Sequence, residues 1–341
     1  MTQDNKTKKV KKSGKIRVDF ERTSRWTRFK LKYLTVNFLA TTIWYIFRLV
    51  LLFGVSYVIL FPFFSKISSS FMSPEDFVDA TVKLIPKHPT LNTYKQIIIE
   101  NSYFKSLFNT VVLSISSALI QTFMCCMIGY GFAKYKFKGS GLLFALVMFT
   151  MIVPHQTLKL SMFMKFRYFD FGLGDFGILS SLGMKTIELT NTYWPLIILS
   201  LGGLAFKNGL YIFMMRQFFR NVPDELEESA YIDGCGVFKT FLTIILPLSI
   251  PMMITIFLFA FSWQWTDNFY TKTFFIGKTV YTMPRIVTVP STLETDYAGR
   301  DLFIAAIRNT AGLLVLAPLI VIYLFCQRYL IQGIERSGIT G

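Results

Sequence analysis

The stretch NVPDELEESAYIDGCGVFKTFLTIILP, residues 221–247, interrupts an apolar chain with signals for the start and the end of a helix. Asn221 is a helix-capping residue type, and Pro223 fits a first helical turn, where backbone donors have no partner. Acidic side chains that favour the positive end of a helix dipole follow: Asp224, Glu225, Glu227 and Glu228. We therefore predict a short helix of about 11 residues, roughly 16 Å long.

Two glycines end this helix in the prediction. Gly234 and Gly236 are expected to take left-handed backbone conformations that turn the chain. An apolar segment then runs from Val237 to Pro247, where the next membrane span is expected to begin. Residues 221–247, called the hairpin below, are thus expected to lie at the membrane surface. The acidic helix would face away from the lipid and enter a groove on another protein.

The composition of the chain excludes an ordinary soluble protein. Of its 341 residues, 52% are hydrophobic and 16% are charged, whereas charged residues usually make up about a quarter of soluble domains. A net charge of +16 would suggest nucleic-acid binding in a soluble chain, but 12 of the 36 Lys and Arg residues precede Ile43. The charge belongs to a tail, and we predict no nucleic-acid partner.

Six segments meet the requirement of about 20 mostly apolar residues for a membrane span. They are residues 44–64, 107–133, 141–163, 194–218, 248–267 and 303–326. We therefore predict an all-α polytopic membrane protein with six transmembrane helices. The basic tail places both termini, and the hairpin with them, in the cytoplasm by the positive-inside rule.

Residues 1–43 are predicted to be a separate cytoplasmic tail. Its first 20 residues are Lys-rich and polar, which indicates disorder. From Arg22 onward, aromatic and basic residues alternate at helical spacing, as in an amphipathic helix that lies on anionic membrane lipid. A simple topology signal is the alternative reading.

Motifs for enzyme chemistry are missing from the sequence. There is no G-x-S-x-G, no H-E-x-x-H and no Gly-rich nucleotide cradle. The cysteines and histidines show no metal-ligand spacing. We expect the chain to be no enzyme and to bind no metal or cofactor itself, so any energy from ATP must come from a partner.

The hairpin resembles a known family motif. The pattern E-x-A, three residues, G, nine residues, I-x-L-P is similar to the EAA loop of binding-protein-dependent ABC-importer permeases, with Ser229 where the family usually has alanine. In that family the helix of this loop is the coupling helix, seated in a cleft of a cytoplasmic ATPase. The resemblance implies these ATPase-coupling residues: Glu225, Glu228, Ser229, Ala230, Asp233, Gly234, Ile244, Leu246 and Pro247.

The resemblance continues outside the hairpin. Leu91-Asn92-Thr93-Tyr94 with Phe108-Asn109-Thr110, and Asn191-Thr192-Tyr193-Trp194-Pro195-Leu196, look like the family's approaches to its second and fourth spans. Gln327-Arg328-Tyr329-Leu330 is similar to the ending of the smaller permease subunit of maltose-type sugar importers. A type I ABC importer (MetI-like) permease fold over residues 44–341 is implied. In that group the tail, here residues 327–341, contacts the ATPase, which points to Gln332 and Gly333.

This resemblance also implies the partners and the location. They are a second permease subunit, two ABC ATPase subunits that use ATP-Mg, an extracytoplasmic solute-binding protein and a sugar or oligosaccharide substrate. The expected location is the bacterial cytoplasmic membrane.

Polar groups inside the predicted spans are candidates for a solute path, because ionisable groups in a membrane tend to face a water-filled interior. Lys207 and Asn208 lie near the middle of the predicted fourth span. Trp263, Trp265 and Asp267 end the fifth, where aromatic faces mix with polar groups as in sugar sites. Tryptophan at a span end is also a common interfacial anchor. Pro154 is expected to break the third span.

The sequence leaves other functions open. The solute could be a peptide, an amino acid or a polyamine, which the EAA pattern does not distinguish. An ion-coupled transporter would call for carboxylates well inside the spans, and a membrane-embedded enzyme would need the missing motifs.

Overall fold

The computed structural model describes Trp26 and residues 36–172, 177–276, 280–294 and 299–338. The predicted amphipathic helix that starts at Arg22 falls almost wholly outside these residues. The chain divides into two compact units, Met1–Phe64 and Ser65–Gly341. The regular elements in the described ranges are helices, and one isolated bridge pairs Phe169 with Ile187.

The described α-helices are numbered in chain order. They are α1 (Val36–Ser69), α2 (Asn92–Glu100), α3 (Tyr103–Lys134), α4 (Ser140–Ile152), α5 (Lys159–Arg167), α6 (Ile178–Ser181), α7 (Trp194–Leu201), α8 (Asn208–Arg220), α9 (Glu225–Ile232), α10 (Val237–Thr240), α11 (Leu246–Trp265), α12 (Phe269–Phe274) and α13 (Arg300–Gly338). Short 3₁₀ turns occur at Pro74–Phe77, His155–Leu158, Met283–Ile286 and Ser291–Leu293.

Four of the predicted spans are continuous apolar helices long enough to cross a membrane. They are Ala40–Ser69, Tyr103–Lys134, Val237–Trp265 and Arg300–Tyr329. The predicted third span is a pair of helices, Ser140–Ile152 and His155–Arg167, bent by 94°. This bend confirms the predicted break at Pro154, whose ring and missing N–H interrupt the helical hydrogen bonds. Counted as one span, the pair brings the described total to five.

The predicted fourth span, 194–218, is not one helix. It consists of α7 and α8, and the residues between them include two with left-handed backbone, Gly203 (φ 67°) and Lys207 (φ 66°). The expectation of Lys207 in the middle of a continuous span is therefore wrong. Two adjacent glycines, Gly202 and Gly203, give the backbone the freedom to leave the helix here.

Helix α3 is the centre of the second unit. It packs against α7, α8 and α11, and its buried face is rich in small and polar side chains. Gly129 allows the closest approach, because a Cβ atom built on it would lie 2.5 Å from Cβ of Met215 in α8. The backbones of α3 and α8 can therefore touch at this point without a side chain between them.

A methyl group at Gly129 should destabilise the protein. We expect Gly129→Ala to cost about 1–3 kcal/mol through overpacking, since Met215 Cβ and the backbone N of Arg216 leave no room. The control is Gly131→Ala in the same helix, where a Cβ meets nothing within 4 Å. The measurement is the thermal midpoint of each detergent-solubilised variant. Equal midpoints for the two variants would contradict close packing at Gly129.

Candidate functional site

The start of the hairpin differs from the prediction in its cap. Asn221 ends α8, because its N–H donates to the Phe218 carbonyl, and Asp224 stands at the N-cap of α9 without a side-chain capping bond. The prediction that Asn221 caps the acidic helix is wrong. Helix α9 is consequently eight residues long rather than about 11. Three of its acidic residues occupy the first turn as predicted: Glu225, Glu227 and Glu228.

The end of α9 is set by one glycine. Gly234 has a φ of 79°, and its N–H donates to the Tyr231 carbonyl while the Cys235 N–H donates to the Ala230 carbonyl at 2.9 Å. This pair of bonds is the Schellman motif, in which the left-handed residue is usually glycine. The prediction for Gly234 is confirmed. Gly236 is extended (φ −75°, ψ 161°), so its predicted left-handed conformation is wrong.

The second arm of the hairpin continues directly into the membrane span. Helix α10, a π-helical turn over Phe241–Ile245 and α11 form one apolar helix from Val237 to Trp265, so no span begins at Pro247. Pro247 lacks an N–H, and its ring would clash with the carbonyl of Thr243 in a regular α-helix. The wider π turn removes this conflict. Ile244, Leu246 and Pro247 thus lie at the join of hairpin and span.

The inner face of α9 rests on the last residue of α3. Lys134 is 6% exposed in its side chain, and its Nζ donates to the Val222 carbonyl at 2.6 Å. The same Nζ pairs with the Asp224 carboxylate and lies 3.9 Å from Oε1 of Glu227. Glu227 and Ala230 are the buried residues of α9. The small Ala230 therefore allows close packing within this chain.

The geometry of this contact shifts the pKa values of both acidic side chains. The hydrogen bond and positive charge of Lys134 hold the pKa of Asp224 below its usual value. Burial raises the pKa of Glu227, and the nearby Lys134 partly opposes that rise. Lys134 also ends α3, where a cation is favoured by the helix dipole. The prediction missed Lys134, because nothing in a sequence links a residue to acids about 90 positions away.

The outer face of the hairpin, which we call the docking face, combines exposed apolar and acidic side chains. Its apolar members are Leu226, Ile232 (86% exposed), Val237 and Phe238 (67% exposed). The exposed polar positions from the prediction are Glu225, Glu228, Ser229 and Asp233. An apolar surface with charged flanks is typical of a protein interface.

A cavity of about 140 Å³ lies at the other end of α11. It is lined by Gln121, Phe206, Ala260, Trp263, Gln264, Thr266, Asp267, Asn268, Phe269 and Tyr270. Lys207 is exposed beside it, with its Nζ 5.1 Å from the Trp263 ring centroid and 5.2 Å from that of Phe206. Lys207, Trp263 and Asp267 are thus brought together.

Two of the predicted path residues do not belong to this cavity. Trp265 is fully buried, and its Nε1 donates to the Val315 carbonyl of α13 at 3.0 Å. Asn208 is 1% exposed at the start of α8, where its carbonyl lies 3.8 Å from Sγ of Cys125. Helical spacing explains the error at Trp265, since Trp263 and Trp265 lie on different sides of α11.

Asp267 stabilises the start of α12. Its carboxylate accepts hydrogen bonds from the backbone N–H groups of Phe269, Tyr270 and Thr271 and so starts α12. Gln121 and Phe206 also line the cavity and were not predicted. Gln121 had a signal, because an amide in the middle of a long apolar helix needs a polar surrounding.

The two interrupted spans meet beside this cavity. The His155 ring, at the bend after α4, lies 4.7 Å from the Phe206 ring, at the break before α8. His155 Nδ1 is also 3.3 Å from the Tyr270 hydroxyl. Non-helical backbone at membrane depth is tolerated where it is buried in protein or lines a water-filled cavity. The irregular backbone of both segments is therefore concentrated at one wall of the cavity.

The two motifs that lie near the starts of α3 and α7 have structural roles. Asn109 donates to the Tyr281 carbonyl at 3.0 Å, and Asn191 accepts from the Ile276 N–H at 2.7 Å. They fix the chain that follows α12 to the starts of α3 and α7. Gln332 and Gly333 lie in the last turns of α13, and the surroundings of the Gln332 side chain fall outside the described part of the chain. Their predicted ATPase contact stays a prediction.

Comparison with known proteins gives a family match. Residues 126–336 match the family described as "Binding-protein-dependent transport system inner membrane component". AraQ of Bacillus subtilis strain 168, an arabinooligosaccharides transport system permease protein, is 27% identical over 291 residues, covering 84% of this chain and 92% of AraQ.

Solved structures share the fold. A chain of a bacterial ABC transporter involved in the import of the acidic polysaccharide alginate matches with a TM-score of 0.64 at 18% identity, covering 85% of this chain and 97% of that chain. A chain of the bacterial alginate ABC transporter in complex with an alginate pentasaccharide-bound periplasmic protein matches with a TM-score of 0.56 at 15% identity, covering 90% and 98%. The predicted permease fold is confirmed.

The two hairpin glycines provide a matched test of the turn. A Cβ at Gly234 or at Gly236 meets nothing within 4 Å, so only the backbone conformation distinguishes them. We expect Gly234→Val to destabilise the turn by roughly 1–2 kcal/mol, because a β-branched residue resists positive φ, and Gly236→Val to have little effect. The measurement is amide hydrogen exchange over residues 225–240. Equal exchange in both variants would contradict the Schellman turn.

Proposed function

The chain belongs to the family of binding-protein-dependent transport system inner membrane components, and from this premise we propose that it is the permease subunit of an ATP-driven importer of sugars or oligosaccharides. Such a subunit is a transporter component rather than an enzyme, and it works with a solute-binding protein and an ATPase. We further propose a second permease subunit, two ATPase subunits that use ATP-Mg, and cytoplasmic termini. This chain itself would need no cofactor.

The observation that carries the proposal is the construction of the hairpin. Its inner face is fixed to α3 by Lys134, and its outer docking face leaves Ile232 and Phe238 uncovered. An eight-residue helix held by the Schellman turn at its end and by the ion pairs with Lys134 at its start can move as a unit with its support. A protein that seats this helix can therefore move the transmembrane helices.

The transport cycle follows from this coupling. ATP binding closes the ATPase pair, carries the seated helices with it and turns the two permease subunits from an inward-facing to an outward-facing arrangement. Hydrolysis resets the arrangement. Each ligand shifts the balance only through contacts that differ between the two states.

The cavity beside the broken helices supports a carbohydrate as the solute. Trp263 is half exposed and offers a flat ring, while Gln121, Gln264 and Asn268 supply amides. Sugars are bound by this combination, because C–H faces stack on rings and hydroxyls pair with fixed polar groups. The names of AraQ and of the alginate transporter, which refer to oligo- and polysaccharides, support the same class.

An ion-coupled mechanism has less support. The carboxylate in the cavity wall, Asp267, already accepts three backbone N–H groups at the start of α12. A transported cation would have to compete with these bonds. A peptide or amino acid solute is the alternative within the same architecture, and the uptake experiment below includes it.

Co-purification tests the docking face. We expect Ile232→Asp to lower the amount of ATPase recovered with the affinity-tagged permease about tenfold, because it places a charge in an apolar contact. The control is Ile85→Asp, an equally exposed isoleucine (79% against 86%) in the segment between α1 and α2. Recovery of the ATPase with Ile232→Asp at the level of Ile85→Asp would refute docking through this face.

Uptake tests the cavity. In vesicles that contain the complete transporter, we expect Trp263→Ala to reduce accumulation of labelled oligosaccharides about fivefold to tenfold, because stacking on an aromatic ring contributes roughly 1 kcal/mol or more. The control is Trp194→Ala, a tryptophan of similar exposure (56% against 47%) outside this cavity. Neutral oligosaccharides, uronate oligosaccharides and peptides are offered in parallel. Uptake of peptides alone would refute the sugar assignment.

A further inference from the structure

The Lys134 ammonium group lies close to three acceptors at the start of the hairpin helix. An ammonium has three donors, and here they face the Val222 carbonyl at 2.6 Å, the Asp224 carboxylate and Oε1 of Glu227 at 3.9 Å. All three acceptors lie between residues 222 and 227. One side chain therefore holds the junction of α8 and α9 to the end of α3.

Lys134 and one of its two carboxylate partners are buried, and the other carboxylate is exposed. The Lys134 side chain is 6% exposed and that of Glu227 is 10% exposed, whereas Asp224 is open to solvent at 77%. Oε1 of Glu227 accepts no hydrogen bond from any described residue. Removing the lysine charge would leave this carboxylate buried without a cation, which is far more costly than losing a surface pair.

An aromatic cluster supports the same junction from within the unit. The Tyr130 ring, one turn before Lys134, lies 5.4 Å from the Phe219 ring of α8 and 4.9 Å from the Phe241 ring of the π turn. The C-terminal end of α3 thus touches the chain both before and after α9. The ion pairs then fix α9 itself.

Helix α3 continues from this junction to the other candidate site. Its 32 residues span roughly 48 Å. Gln121, near its middle, lines the cavity. Near its start, the Thr110 hydroxyl accepts from the Met283 N–H at 2.8 Å, and Asn109 holds the Tyr281 carbonyl. One helix therefore connects the hairpin, the cavity wall and the segment around Tyr281 and Met283.

We propose that Lys134 is the positioning residue that transmits movement of the hairpin to α3, and that α3 delivers this movement to the cavity. The inference rests on the coupling role proposed for the hairpin. It assigns the transmission to a residue outside the EAA pattern, on a different helix. Lys134 acts through its contacts with the start of α9.

The test uses the complete transporter in lipid nanodiscs, with a reporter cysteine at Thr266→Cys in the exposed part of the cavity wall and with Cys235 and Cys326 replaced by serine. Cys125 and Cys126 are fully buried and stay unlabelled. The measured quantity is the ratio of the maleimide labelling rates with and without ATP plus vanadate. ATPase recovery and ATP hydrolysis are measured on the same samples.

The variants separate charge from shape. We expect Lys134→Gln to keep the ATPase bound and hydrolysing while the labelling ratio falls to one. Lys134→Arg retains the charge and should restore the severalfold wild-type ratio. Lys138→Gln removes an exposed lysine from the turn that follows α3 and should leave the ratio unchanged. A wild-type ratio in Lys134→Gln would overturn the inference.

A milder variant covers the case in which Lys134→Gln does not assemble. Asp224→Asn removes the solvent-exposed partner, and we expect a labelling ratio between that of the wild type and one. A wild-type ratio in this variant would then overturn the inference. If the unmodified transporter itself showed a ratio of one, the coupling function would fail rather than the role of Lys134.

Discussion

The structure depends on one constraint, which is that backbone N–H and C=O groups inside a membrane must find partners within the protein. Four segments satisfy it with continuous helices. The two that do not, at Pro154 and between Gly202 and Lys207, are joined through the His155 and Phe206 rings. Grouping both irregular stretches at one place leaves room for polar groups beside them. The cavity lies where the backbone could not remain helical.

Features that depend on neighbouring residues were predictable from the sequence. Turn chemistry is local, so Gly234 and the helix before it were predictable, and so was the break at Pro154. The break before α8 was missed, although Gly202 and Gly203 signal it, because hydropathy averaged over 194–218 conceals a short interruption. Asn221 was misjudged for a related reason, since a capping residue type can end one helix as well as begin another.

The side chains of the candidate sites were only partly predictable. Trp263 and Lys207 were found because an aromatic end and an intramembrane cation stand out in any apolar stretch. Trp265 has the same composition around it, but it lies on the other side of α11, where its Nε1 donates to the Val315 carbonyl of α13. The role of Lys134 was not predictable, since its three acceptors lie far along the chain, between Val222 and Glu227. Contacts between distant segments depend on the tertiary fold, which spacing along a chain does not encode.

A subunit that passes movement from one side of a membrane to the other needs a stiff element with a firm hold at each end. Helix α3 has these properties. Lys134 fixes its last residue to α9, the Thr110 hydroxyl near its start accepts from the Met283 N–H, and Gly129 packs it tightly against α8. A tightly packed helix pair cannot deform gradually, so under the proposed coupling a small displacement at the hairpin would be carried along the helix rather than absorbed. The side chain with the greatest influence on coupling would then lie behind the docking face, where it is shielded from the partner. The docking face alone would suffice to bind the ATPase, while transmission of its movement would also require the buried Lys134 cation.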